Sequence, residues 1–137
     1  MHYLTGDSFV DDRGCLSFNN DLDLSEVKRL YVIENKNTEI LRAWQGHKIE
    51  KRWFIAIQGA FKVRLVKIDC FQNPSDDLVT ESFVLNSKSM DCLIVEAGFA
   101  SSIQAIESNS KLLVFSNYKL GEINDDYKFN PQKWSQK

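Results

Sequence analysis

RAWQGHKIEKRWFIAIQG, from Arg42 to Gly59, sets a row of polar groups directly against an apolar run closed by glycine. Trp53 to Ile57 is unbroken in its apolar character, as expected of a strand buried on both faces. Gln45, His47, Lys48, Lys51 and Arg52 stand immediately before it, and His47 is the only histidine besides His2. A site needs reactive groups fixed on a rigid, buried element, and here both lie within one stretch.

Outward from this stretch the chain reads as a series of short strands. Phe61, Val63 and Leu65 alternate with Lys62 and Arg64, the period of a half-buried strand. Gln58-Gly59-Ala60 joins the two runs as a tight hairpin, with glycine free to adopt positive φ. Strands are also expected at Arg29–Ile33, Glu81–Leu85, Cys92–Val95, Ser102–Ile106 and Lys111–Ser116. Polar turns join them at Asn86–Ser89 and Glu107–Ser110, and a polar loop spans Phe71–Asp77. Helical periodicity is confined to a short helix or turn at Asp21–Val27. Many short strands at roughly 8–12-residue spacing predict an all-β sandwich or barrel.

The 137 residues are one domain's worth, with a core expected over about 11–118 and a tail, 119–137, packing on the barrel or on a partner. Hydrophobic residues make up 43% and aromatics 12%, which excludes a disordered chain. With a formal charge of −2 and bases interleaved with acids, nucleic acid is not an expected partner. Cys15, Cys70 and Cys92 are odd in number and widely spaced, so reduced thiols are expected, Cys92 serving as a small hydrophobe. MHYLTGDSFVDDRG lacks a signal-peptide pattern and no apolar run reaches membrane-spanning length, so a cytoplasmic location off the membrane is expected.

The opening stretch resembles the first motif of the cupin superfamily: two histidines flanking one residue, an acid four residues later, and a glycine six further on. The frame falls on Gln45-Gly46-His47, Arg52 and Gly59, with the spacing kept throughout and the residue types kept at His47 and Gly59. The second cupin motif, a histidine after a Pro-x-Gly turn, is echoed by Glu96-Ala97-Gly98-Phe99-Ala100-Ser101. Within the cupins the chain is similar to the dTDP-sugar 3,4-ketoisomerases and dTDP-4-dehydrorhamnose 3,5-epimerases, including the WxcM-like group. Asp11-Asp12-Arg13-Gly14-Cys15-Leu16, Lys28-Arg29-Leu30-Tyr31-Val32-Ile33 and Arg42-Ala43-Trp44-Gln45-Gly46-His47-Lys48 carry that likeness.

The resemblance implies a jelly-roll cupin barrel, a homodimer, that acts on a nucleotide sugar without metal or cofactor. The positions of the metal-binding set hold Gln45, His47, Arg52 and Ser101; one imidazole beside a guanidinium does not make a cation site. The family's usual base is the first histidine of the pair, and that position is Gln45. A carboxamide hydrogen-bonds but does not titrate, whereas imidazole does. On one strand Gln45 and His47 share a face. His47 is therefore the candidate base, with a structural or binding role as the alternative, and Tyr31 is the candidate acid, with a core role as the alternative. Gln45, Arg42, Lys48, Arg52, Arg13 and Ser101 are the candidate substrate contacts. The implied activity is a metal-independent isomerisation or epimerisation of a dTDP-4-keto-6-deoxyhexose through an enediolate, in surface polysaccharide biosynthesis. The alternative is a non-catalytic cupin that binds a nucleotide sugar or other small ligand.

Overall fold

A computed structural model describes residues 2–134, and among them every regular element is a strand. In chain order these are β1 (His2–Leu4), β2 (Asp7–Asp11), β3 (Gly14–Phe18), β4 (Arg29–Glu34), β5 (Leu41–His47) and β6 (Arg52–Gln58). There follow β7 (Ala60–Lys67), β8 (Thr80–Asn86), β9 (Cys92–Val95), β10 (Phe99–Ala105), β11 (Lys111–Ser116) and β12 (Tyr127–Lys128). One antiparallel sheet has the order β1-β9-β6-β11-β4 and the other β12-β5-β10-β7-β8, while β2 and β3 form a separate hairpin. The two sheets close on one another as a cupin jelly roll.

Alternation along each strand fixes what enters the barrel. Phe54 and Ala56 of β6, Phe61, Val63 and Leu65 of β7, and Leu112 and Val114 of β11 meet in the interior core. The other face of β6 is buried as well, because Trp53 and Ile55 join Cys92 and Phe115 beneath Leu22 and Val27 of the segment between β3 and β4. This double coverage explains the unbroken apolar run, although its last residue, Ile57, is exposed. The Asp21–Val27 segment forms turns and no helix, closed by the Val27 amide donating to the Leu24 carbonyl at 3.0 Å. Cys92 is fully buried, and burial pushes its thiol up to about 12.

The tail covers the outer face of the second sheet. β12 pairs with β5, and Trp134 packs edge-on against Trp44 at 5.5 Å between ring centres, in a cluster with Phe71 and Phe129. At the β6–β7 hairpin Gly59 has φ +70°, and a Cβ there would overlap the Ser110 side chain, so this turn admits only glycine.

The apolar pattern leaves β1, the β2–β3 hairpin, β5 and β12 unmarked, because they are short or mixed in polarity. β10 also begins at Phe99, three residues before its expected start at Ser102. Gly98, at φ +99°, turns the chain into it, and the Gly98 amide donates to the His47 carbonyl at 2.7 Å. That bond ties the second cupin-like motif to the first.

Candidate active site

The inward rows of the strands turn polar at one end of the barrel. In β4 the row Arg29, Tyr31, Ile33 begins with arginine, and in β6 Arg52 precedes Phe54 and Ala56. Ser116 ends the inward row of β11, opposite Arg52 in register, while Ser101 lies opposite Gln45 between β10 and β5. Antiparallel pairing thus gathers the polar ends into one mouth.

Two adjoining cavities occupy this mouth. The first, about 270 Å³, is bounded by Arg29, Tyr31, Gln45, His47, Arg52 and Asp126 among others. The second, about 500 Å³, shares Tyr31, Gln45 and Arg52 and adds Arg42 and Ser101 above a floor of Phe54 and Ile103. Arg42 and Gln45 are three residues apart, so a regular strand would turn them to opposite faces. A register shift in β5, where Ser101 opposes Gln45 but Ile103 opposes Arg42, inserts the extra residue that turns both inward.

His47 is buried, and its Nδ1 lies 2.9 Å from the Asp125 backbone carbonyl. A carbonyl can only accept, so Nδ1 carries the proton and Nε2 keeps its lone pair. Burial, and then the Arg52 charge, hold the imidazole below its usual range, against smaller opposing contributions from Glu50 and Asp125. The ring is therefore a neutral base near neutral pH.

Asp125 is a tail residue that builds the base's surroundings. Its Oδ1 accepts from the Lys48 amide at 2.8 Å, and its Oδ2 accepts from the amides of Ile49 at 2.8 Å and Glu50 at 2.7 Å. Three backbone donors of the β5–β6 turn thus converge on one buried carboxylate. Glu50, also buried, accepts from Ser116 Oγ at 2.7 Å and pairs with Arg52 at 2.7 Å, with Arg29 at 3.8 Å. Arg52 also donates to the Tyr31 hydroxyl. That hydroxyl accepts from the guanidinium and so keeps its own proton for another acceptor. Gln45 donates its amide to the Asp126 carboxylate.

His47, Glu50 and Asp125 bring one donor atom each within 4.8 Å of one another. These are a poor cation set: both Asp125 oxygens already accept backbone amides, Glu50 is ion-paired, and the Arg52 charge sits in the same cluster.

Of the sequence-derived candidates, Tyr31, Arg42, Gln45, His47, Arg52 and Ser101 converge on the mouth. Two lie elsewhere. The Lys48 side chain is exposed and only its backbone amide serves the site, because it follows His47 and alternation turns it outward. Arg13 is at the β2–β3 turn, paired with Asp11 at 2.6 Å, where it lines a separate hollow of the hairpin and neither cavity of the mouth. Arg29, Glu50, Asp125 and Asp126 were missed. Arg29 was legible, two residues before Tyr31 on the same face; the tail acids carry no periodic signal.

A cupin barrel whose mouth sets an imidazole among paired bases and acids is the class that the fold and site define. The chain belongs to the FdtA family, described as WxcM-like, C-terminal, whose model matches residues 2–137. No curated protein sequence matches the chain. Among solved structures it is similar to a mutant of the 3,4-ketoisomerase QdtA from Thermoanaerobacterium thermosaccharolyticum in complex with TDP-4-keto-6-deoxyglucose. That match has TM-score 0.67 at 20% identity, covering 86% of this chain and 80% of the other. The WlaRB TDP-quinovose 3,4-ketoisomerase from Campylobacter jejuni matches with TM-score 0.65 at 21% identity, over 97% of this chain and 95% of that one. ChmJ, a 3'-monoepimerase from Streptomyces bikiniensis in complex with dTDP-quinovose, gives TM-score 0.72 at 14% identity, over 94% and 69%.

Proposed function

We propose that the protein is a metal-independent sugar-nucleotide isomerase or epimerase acting on a dTDP-4-keto-6-deoxyhexose. The observation that carries this reading is the His47 tautomer, set by the Asp125 carbonyl so that a neutral imidazole offers Nε2 as base. Beside it a phenol hydrogen-bonded to a guanidinium lines the same cavity. His47 removes the proton from the carbon next to the ketone. Tyr31 gives its proton to the ketone oxygen, and Arg52 meets the negative charge left on the phenol. Gln45 and Ser101 hydrogen-bond substrate oxygens, and Arg42 faces the diphosphate.

The same proposal includes a homodimer, a cytoplasmic location and a place in surface polysaccharide synthesis. Phe9, Val10 and Leu16 on the β2–β3 hairpin and Leu30 on β4 are more than half exposed, an apolar surface suited to a second copy. Arg13, on that hairpin, reaches a substrate only where a partner subunit brings the hairpin to the mouth.

Because the His47 pKa is lowered, the base stays competent below 6.5 and is lost only as pH falls through its depressed value. The acid limb of kcat/KM is expected to lie below 6.5. The same group makes folding stability, full above 6.5, decline as pH drops from there toward the folded-state value, where the unfolded chain binds the extra proton. A pH–rate profile and denaturation midpoints over about pH 4–8 check both limbs.

Gln45, in the family's base position, favours one second reading: a cupin that binds a nucleotide sugar without turning it over. Thermal shift with dTDP and dTDP-sugars is expected to show stabilisation of about 2.7 kcal/mol at a hundredfold excess over Kd. Stabilisation without turnover selects the binding module, and no stabilisation by any nucleotide sugar contradicts both readings.

A further inference from the structure

We infer that Asp126 is a catalytic residue for ketone migration, accepting the proton of the substrate hydroxyl next to the ketone. The inference rests on the isomerase reading above and assigns it a reaction: ketoisomerisation. Moving a ketone to the neighbouring carbon needs a proton transfer that epimerisation does not, from the neighbouring hydroxyl. In epimerisation a proton leaves and re-enters carbon while the carbonyl oxygen keeps its place. In migration the former hydroxyl must also lose its proton as its carbon becomes the new carbonyl.

The site has a group for each of these transfers. His47 Nε2 takes the proton from the hydroxyl-bearing carbon and returns it to the former carbonyl carbon. The Tyr31 hydroxyl protonates the former carbonyl oxygen. His47 then holds the carbon-bound proton, and the Tyr31 phenolate stays paired with Arg52 at the former carbonyl oxygen, so a separate acceptor serves the neighbouring hydroxyl. Asp126 lines the same cavity as both, and its Oδ1 accepts the Gln45 amide, which leaves Oδ2 as an acceptor. Gln45 holds the carboxylate in place and does not titrate itself. Where the family carries a titrating imidazole, this chain has an amide holding a carboxylate from the tail.

The protons balance. The carbon-bound proton moves between neighbouring carbons through His47, Tyr31 gives one to oxygen, and Asp126 takes one from oxygen. Return of that proton from Asp126 to the Tyr31 phenolate through solvent resets the site, with no oxidant or reductant consumed. The 4-keto-3-hydroxy sugar becomes its 3-keto-4-hydroxy isomer.

The test compares wild type, D126N and D126E with dTDP-4-keto-6-deoxyglucose in deuterium oxide. NMR follows both deuterium at the carbon next to the ketone and the position of the ketone. Asparagine still offers an oxygen to the Gln45 amide, so the local hydrogen bond survives. D126N is expected to lower ketone migration by about 10²–10⁴-fold while deuterium exchange persists, since one acid–base group contributes that much. D126E, which keeps a carboxylate, is expected to recover part of the migration. Equal loss of exchange and migration in D126N would assign Asp126 a structural role and overturn the inference. Undiminished migration in D126N, or wild-type exchange without migration, overturns it too while leaving an isomerase or epimerase in place. Absence of exchange in the wild type overturns the functional reading and this inference together.

Discussion

Replacing His47 with asparagine is expected to lower solvent-deuterium exchange at the carbon next to the ketone by about 10²–10⁴-fold, the usual contribution of a positioned general base. Asparagine retains a donor for the Asp125 carbonyl, so the tail contact survives while the titrating group is lost. The effect should fall on kcat more than on nucleotide affinity, because the imidazole is required to take a proton and not to hold the diphosphate. Exchange rates and dTDP binding measured on the same preparation check the split. A variant exchanging at the wild-type rate would return His47 to its alternative role as a buried structural residue.

Replacing Asp125 with alanine is expected to produce the largest loss of stability. Three backbone donors, from Lys48, Ile49 and Glu50, lose the carboxylate they share. Each buried donor left unsatisfied costs about 1–3 kcal/mol, so a total on the order of 3 kcal/mol is expected after partial relaxation. For a chain of this length that corresponds to a fall in Tm of about 10 °C. The site should suffer with the fold, because the β5–β6 turn that follows His47 and the carbonyl that fixes its tautomer are secured by the same residue. Asp125→Asn keeps one acceptor oxygen and is expected to fall between the two. Thermal unfolding of the three proteins checks the order.

The barrel was legible because strand patterning and the cupin spacing converge on the same stretch. Gln45, His47, Arg52 and Ser101 were placed by that spacing, and they do line one mouth. Arg42 sits beside them for a reason no alternation rule contains, the extra residue in β5. Trp53 to Ala56 read as doubly buried, yet what covers their outer face, the segment bearing Leu22 and Val27, has no pattern of its own. The same holds at the site. Asp125 and Asp126 sit in a polar tail where adjacent acids ordinarily mean a solvated loop. Only the pairing of β12 with β5 brings them to His47 and Gln45, a contact across about eighty residues of chain.

Gln45 therefore takes on a different meaning once the fold is known. In the sequence it is a lost base; in the barrel it is the donor that holds a carboxylate at the mouth. The central claim, that this mouth still moves protons on a keto-sugar, is tested most directly by incubating the protein with dTDP-4-keto-6-deoxyglucose in deuterium oxide. Deuterium appearing at the carbon next to the ketone, above a no-protein control and lost in His47→Asn, is the predicted result. No incorporation above that control, from protein that dTDP stabilises against heat, would contradict it.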